Sequence, residues 1–249
     1  MKNITINDIT FQITDDCYMK YQKFWNINQN GNWEPTIYNA MSKFISSDSV
    51  YIDMGTWIGP CILYAANIAE RCIGVEPDPV ALSFLKGNMK CNKQFEIFEG
   101  AISDKRGVLN LYAAGKFRMG SSGSSLLLND QYIDDSKIVK HYKNVKNRES
   151  EKIKSITFSD FVSDFNITKC DFIKIDVEGS EKLIVPQMLD FLMECKPVVY
   201  LSIHSWFLDE SDKAGIISIL QHSKSILNKN MEIISLSSIF KHKEVIIIF

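Results

Sequence analysis

Val50-Tyr51-Ile52-Asp53-Met54-Gly55-Thr56-Trp57-Ile58-Gly59 reads as a short buried strand, a carboxylate at its end, and a glycine turn opening into a helix. Gly55 lets the backbone turn tightly and approach a ligand with no Cβ in the way. Gly59 can open the next helix, whose free amides suit a carboxylate or other electron-rich group. In an α/β protein such a turn commonly holds a nucleotide-like cofactor.

Outward from this stretch the chain alternates strands and helices. Residues 72–76 form an apolar run that ends at Glu76-Pro77, and a helix is expected over 78–91 with Pro79 in its first turn. A strand follows at 95–99, then a hairpin edge over 105–112 that turns at Lys105-Arg106-Gly107. After 152–157 and a short helix at 158–165, Asp171-Phe-Ile-Lys-Ile-Asp176 is another buried strand ending in an acid. Helix 180–194, strand 197–203 ending at His204, and helix 212–228 come next. Met231–Ser235 and Glu244–Phe249 read as a terminal hairpin. Such alternation implies right-handed crossovers and a mainly parallel sheet with both faces covered.

Two segments stand outside the alternation. Residues 1–46 begin with a hairpin around Asn7-Asp8 and continue through Tyr18, Tyr21, Phe24, Trp25 and Trp33, either a lid on the core or a wall of the ligand pocket. A helical pattern at Ile37, Met41, Phe44 and Ile45 closes the segment. Residues 113–150 form an insertion rich in Gly and Ser, then in lysine. One domain is expected over 1–249, with 47–249 as its catalytic core.

Composition excludes several classes. The chain has 249 residues, 45% of them hydrophobic and 23% charged, which is ordinary for a globular protein. A formal net charge of -2 gives no sign of a nucleic-acid partner. The cysteines at 17, 61, 72, 91, 170 and 195 make no C-x-x-C pair and read as reduced core residues. No apolar run reaches the roughly 18 residues of a membrane span. No signal-peptide pattern opens the chain, so a cytoplasmic location is expected. Oligomeric state is not legible.

Three acids fall at the ends of parallel strands, where ligands bind: Asp53, Glu76 and Asp176. Glu76 lies one strand–helix–strand step after Asp53, where a carboxylate can accept from both hydroxyls of a ribose. A dinucleotide fold wants G-x-G-x-x-G to cradle a pyrophosphate. Here Trp57 stands where a phosphate would favour glycine, and Asp53 would repel phosphate but could help hold an α-ammonium. S-adenosylmethionine fits this row better than a nicotinamide or flavin.

A second cluster is Lys174-Ile-Asp176-Val-Glu178-Gly-Ser-Glu181, with His204 on the next strand end. An imidazole with an ordinary pKa of about 6.5 suits proton removal from a hydroxyl. His204 could equally be a hydrogen-bonding core residue, and Glu178 and Glu181 could be helix N-terminal acids. Asp176, Glu178 and His204 have the ligand types for a divalent ion, though their spacing is not diagnostic. Ser121–Ser125 could hold a polar substrate, with Ser124 and Ser125 the candidates, or could be a plain flexible loop. The lysines at 137, 140, 143 and 146 suit a solvated face or an acidic substrate.

These segments together resemble the FkbM family of S-adenosylmethionine-dependent methyltransferases. The resemblance is carried by Tyr51–Gly59, Gly74-Val-Glu-Pro-Asp78, Gly100-Ala-Ile-Ser-Asp104, the loop at 123–126, Phe172–Glu181 and Leu201-Ser-Ile-His204. It implies a Rossmann-like class I methyltransferase sheet of seven strands, six parallel and the last antiparallel. It implies O-methylation of a hydroxyl on a sugar, glycan or related small metabolite. Asp53 and Gly55 would lie at the methionine end, Glu76 at the ribose, and Ala101 and Ile102 by the adenine; Thr56, Trp57, Pro77 and Asp176 are further cofactor-binding candidates. Asp176 would belong to the catalytic mouth. Beyond the resemblance, the residues themselves make His204 the expected base and a contact to the acceptor, with Asp176 or Glu178 as orienter or alternative base. The family commonly has Ala-Asn at Thr56-Trp57, and Glu where this chain has Ser202. A nicotinamide-dependent oxidoreductase and a non-catalytic glycan- or partner-binding protein are the alternatives.

Overall fold

A computed structural model describes residues 1–113, 119–128 and 149–249. The lysines at 137, 140, 143 and 146, and most of the expected insertion, lie outside the described residues. The chain opens on the antiparallel hairpin β1 (Lys2–Ile6) and β2 (Ile9–Ile13). Its turn residues Asn7 and Asp8 both have positive φ, 44° and 66°, as a two-residue turn between twisted strands requires. Helices α1 (Asp15–Lys20), α2 (Gln22–Gln29) and α3 (Pro35–Phe44) follow.

The alternating core then runs β3 (Val50–Met54), α4 (Pro60–Ala66), β4 (Arg71–Glu76), α5 (Pro79–Met89) and β5 (Glu96–Glu99). A small sheet of β6 (Ala101–Ile102), β7 (Gly107–Tyr112) and β8 (Ser150–Ile156) comes next, followed by α6 (Phe158–Asp164). The second half holds β9 (Phe172–Ile175), α7 (Glu181–Ile184), α8 (Leu189–Cys195), β10 (Val198–Ser202), α9 (Glu210–Leu220), β11 (Ser225–Leu227) and β12 (Glu244–Ile248).

The main sheet has the order β11-β12-β10-β9-β3-β4-β5. Only β12 runs against its neighbours, so the arrangement is six parallel strands and one antiparallel. From β3 the chain builds outward through β4 and β5, then crosses back to β9 on the other side. The order therefore reverses between β3 and β9, and a crevice opens beyond their carboxyl ends. Every residue of β3 and β9 is buried, because helices cover both faces. Among the described residues no helix is long and apolar enough to cross a membrane.

Three expectations are corrected. Residues 105–112 are not a hairpin on 95–99: β7 pairs with β8, from Gly107–Ser155 to Tyr112–Ser150. At Gly100 the chain leaves β5 and passes so close to Lys154 that a Cβ would sit 2.7 Å from its carbonyl oxygen. The expected helix 180–194 is interrupted by a 3-10 turn over Val185–Gln187. Pro186 lacks an amide hydrogen and its ring clashes with the preceding turn, which ends α7. The expected helix 212–228 stops at Leu220, and Ser225–Leu227 joins β12 in place of Met231–Ser235. Ile226 and Leu227 satisfy either period, a known ambiguity of short apolar runs, and β12 offers them a buried edge.

The join of β3 to β9 turns on one glycine. Gly55 has φ 84°, and a Cβ there would lie 1.9 Å from the Asp176 carbonyl oxygen. Gly55→Ala is expected to lower the unfolding free energy by at least about 3 kcal/mol in urea denaturation, through left-handed strain and the clash together.

Candidate active site

The crevice beyond β3 and β9 is a cavity walled by the turn at Gly55–Trp57, by Glu76 and Pro77, and by Ala101 and Ile102. Ser121, Ser122 and Ser124 line it from the loop side, Trp33 and Glu34 from the N-terminal segment, and Asp176, Glu178 and His204 from the second half of the sheet.

Lys174 sits beneath its floor. Its Nζ donates to Asp53 Oδ1 at 3.1 Å and to the Gly55 carbonyl at 2.8 Å, and lies 3.7 Å from Asp176 Oδ2. Burial works against the ammonium, but Asp53 and Asp176 outweigh it and hold Lys174 firmly charged. Asp53 is fully buried behind this lysine and is not part of the cavity wall. Asp53, expected at the methionine end, keeps Oδ1 on this ammonium, while its Oδ2 is buried without a hydrogen-bond partner among the described residues.

Glu34 borders the cavity as well. It enters from the N-terminal segment with a left-handed backbone, φ 40°, ahead of Pro35 at the first turn of α3. That turn is pinned to the sheet, because Thr36 and Tyr200 donate to the two oxygens of Glu244 at 2.6 Å each. Glu34 Oε2 is buried and has no hydrogen-bond partner among the described residues. Burial foremost, then the charge of Asp176, pushes its carboxyl up to about 8.

Across the cavity, Glu76 accepts from Trp57 N at 2.6 Å through Oε2 and from Asp78 N at 2.8 Å through Oε1. Burial is the main cause that pushes it up to about 8. Each oxygen keeps a lone pair for a hydroxyl. The left-handed Trp57, φ 52°, aims its amide at Glu76. Its indole donates to the Gly120 carbonyl at 3.0 Å, and Tyr21 donates to the same oxygen at 2.8 Å. Edge-on contacts with Phe24 and Tyr21, centroids 4.6 and 5.3 Å away, clasp the ring. Trp57 thus both lines the cavity and joins the N-terminal segment to the serine loop. The Thr56 hydroxyl bridges Asp53 O, at 3.0 Å, and Val75 N, at 3.1 Å, and so fixes the turn.

The serine loop hangs on Asp78, whose two oxygens serve different ends. Oδ1 caps α5 through Val80 N and Ala81 N, while Oδ2 accepts from Gly120 N at 2.6 Å and Ser124 Oγ at 3.1 Å. Ser124 borders the cavity and Ser125 does not: the Ser125 hydroxyl is buried, donating to the Glu178 carbonyl at 2.6 Å and accepting from Leu127 N. Its expected contact with substrate is corrected.

At the far end, His204 Nδ1 meets Glu181 Oε1 at 2.6 Å. Its Nε2 lies 3.4 Å from Glu178 Oε2 and 3.8 Å from Asp176 Oδ1. Burial opposes a charged ring, but Glu181 and Glu178 overcome it and raise the pKa well above its ordinary value. Glu181 thus fixes Nδ1 and leaves Nε2 facing the two carboxylates. Glu181, legible only as a helix N-terminal acid, is the partner that residue 202 lacks.

The seven-stranded sheet, the reversal at β3 and an acid-lined crevice define a class I methyltransferase fold. The model of the family described as Methyltransferase FkbM domain matches residues 53–243, and the chain belongs to that family. The crystal structure of methyltransferase FkbM from Methylobacillus flagellatus KT superposes with a TM-score of 0.50 at 15% identity, over 95% of this chain and 56% of that one. This supports the fold alone. Uncharacterized protein MJ1452 from Methanocaldococcus jannaschii is 34% identical over 67 residues, 26% of each chain. The chain thus spans about half of the Methylobacillus protein, and its match to MJ1452 covers about a quarter of that protein.

Glu34 yields a stability prediction with a definite sign. Its folded pKa, about 8, lies above the ordinary 4.5, so its contribution is fully present below pH 4.5 and is lost as pH rises toward 8. Glu34→Gln is expected to match wild type near pH 4 and to be more stable by at least about 1 kcal/mol at pH 8.5, read from urea midpoints.

Proposed function

We propose that the chain is an S-adenosylmethionine-dependent O-methyltransferase acting on a hydroxyl of a sugar, glycan or related small metabolite. The observation that carries this reading is the pairing of two unspent carboxylates across one turn. Glu76 has lone pairs for a ribose, and Glu34 has a buried oxygen without a partner. A ligand with a ribose at one end and an ammonium at the other satisfies both, and Trp57 occupies the room a pyrophosphate would need. Ala101 and Ile102 offer an apolar slot beside Glu76 for the base. Residues 1–46 then serve as the cover of the donor site, and 47–249 as the catalytic core of one domain.

When bound, the donor supplies an electrophilic methyl on a sulfonium. The rest falls to the chain. Asp176, Glu178 and His204 hold the acceptor hydroxyl in line with that methyl, and placing two reactants so contributes much of the rate. The donor would give its methyl to the hydroxyl oxygen and keep the carbon–sulfur electron pair. The hydroxyl proton passes to His204 Nε2, or to the carboxylate of Asp176 or Glu178 beside it. The ring, held by Glu181 through Nδ1, directs the acceptor.

Calorimetry is expected to give micromolar binding of S-adenosylhomocysteine and none of NAD; the reverse contradicts the reading. Glu34→Gln is expected to weaken that binding about tenfold, the worth of one charge-assisted hydrogen bond. His204→Ala is expected to reduce labelled methyl transfer at least tenfold while affinity for S-adenosylhomocysteine holds within about twofold.

A further inference from the structure

Asp176, Glu178 and His204 each bring one ligand atom to within 4.8 Å of the others. A six-coordinate ion with bonds of about 2.1 Å sets neighbouring ligand atoms about 3 Å apart and opposite ones about 4.2 Å apart. The His204 Nε2 distances to Glu178, 3.4 Å, and to Asp176, 3.8 Å, fall within that span. With all three atoms within 4.8 Å of one another, no separation has to close by more than about 0.6 Å, a small side-chain rotation.

Further observations point to a cation at this place. Glu181 takes His204 Nδ1 at 2.6 Å, which leaves Nε2 as the atom facing the two carboxylates. A carboxylate behind a histidine, fixing which nitrogen faces forward, is the usual support of a metal-ligating ring. Ser180, on the cavity wall, has a buried hydroxyl without a hydrogen-bond partner among the described residues, and so has the second oxygen of Glu181. Buried polar atoms of this kind call for a ligand or its water, and a hard cation keeps ordered waters. Charge agrees: among the described residues the lysine on the cavity wall is Lys174, and Asp53 and Asp176 already oppose it.

We propose that Asp176, Glu178 and His204 form a site for one divalent, oxygen-preferring cation of the Mn2+ or Mg2+ type. Two carboxylates and one imidazole suit such an ion, and its open positions take water and two adjacent oxygens of the acceptor. The acceptor is then a vicinal diol or hydroxy-acid arrangement, as on a sugar, with the methylated hydroxyl bound to the ion. The acceptor part rests on the methyltransferase reading; the ion site stands on its own geometry.

The experiment titrates chelator-treated protein with Mn2+, reading free Mn2+ by electron paramagnetic resonance. Wild type is expected to bind one Mn2+ with Kd below about 100 μM. Glu178→Gln and His204→Ala are expected to weaken it at least tenfold, and the positioning variant Glu181→Gln about tenfold. Calorimetry with S-adenosylhomocysteine on the same metal-free samples reports whether each variant is folded and tests the donor reading separately. No saturable Mn2+ binding up to about 1 mM, or equal affinity in wild type and in variants that still bind S-adenosylhomocysteine, overturns the proposal. Loss of S-adenosylhomocysteine binding in wild type with Mn2+ binding intact would instead overturn the methyltransferase reading and leave the ion site standing.

Discussion

A single buried ammonium holds the two halves of the sheet in register where the site is made. Lys174 rises from β9 and is gripped by Asp53 and the Gly55 carbonyl of β3, with Asp176 of its own strand close by. Removing one partner of such a pair typically costs about 3–5 kcal/mol, because the other charge stays buried alone. The arrangement also determines which acids remain available. With Asp53 behind Lys174, the cavity wall presents Glu34, Glu76, Asp176 and Glu178.

The N-terminal segment is part of this construction. Trp57 stands in the motif turn, yet its ring is closed by Tyr21 and Phe24 from α1–α2 and by the Gly120 carbonyl of the serine loop. Tyr21 donates to that same carbonyl, and Asp78 takes the Gly120 amide. Four sequence-distant pieces therefore meet at one peptide unit beside the ribose acid. A smaller residue at 57 would leave Tyr21 and Phe24 without their common contact, so the departure from Ala-Asn is tied to the aromatic content of this chain's own N-terminal segment.

The sheet was legible because its information is local. Apolar runs that end in an acid or a glycine mark β3, β4 and β9 without reference to anything distant. Pairing of β7 with β8 was not, since the partner arrives after a long insertion. The broken helix at Pro186 could have been read from proline chemistry alone. In the site, Glu76, Asp176 and His204 were legible as strand ends. Glu34 was not, because a left-handed residue before a helix carries no signature of where its side chain points. Asp53 was legible only in part for the complementary reason: its motif position is visible, while the lysine that occupies it lies 121 residues away. Glu181 looked like a helix-start acid because its partner, His204, is 23 residues on.

The central claim is that this crevice takes a methyl donor whose amino-acid end is received by Glu34, with Asp53 held back by Lys174. A crystal structure with S-adenosylhomocysteine tests it most directly. The account predicts both ribose hydroxyls within about 3.2 Å of Glu76 and the α-ammonium within the same reach of Glu34, with the Lys174–Asp53 contact intact. An ammonium seated on Asp53 with Lys174 displaced, or a ligand bound away from Glu76, would contradict it.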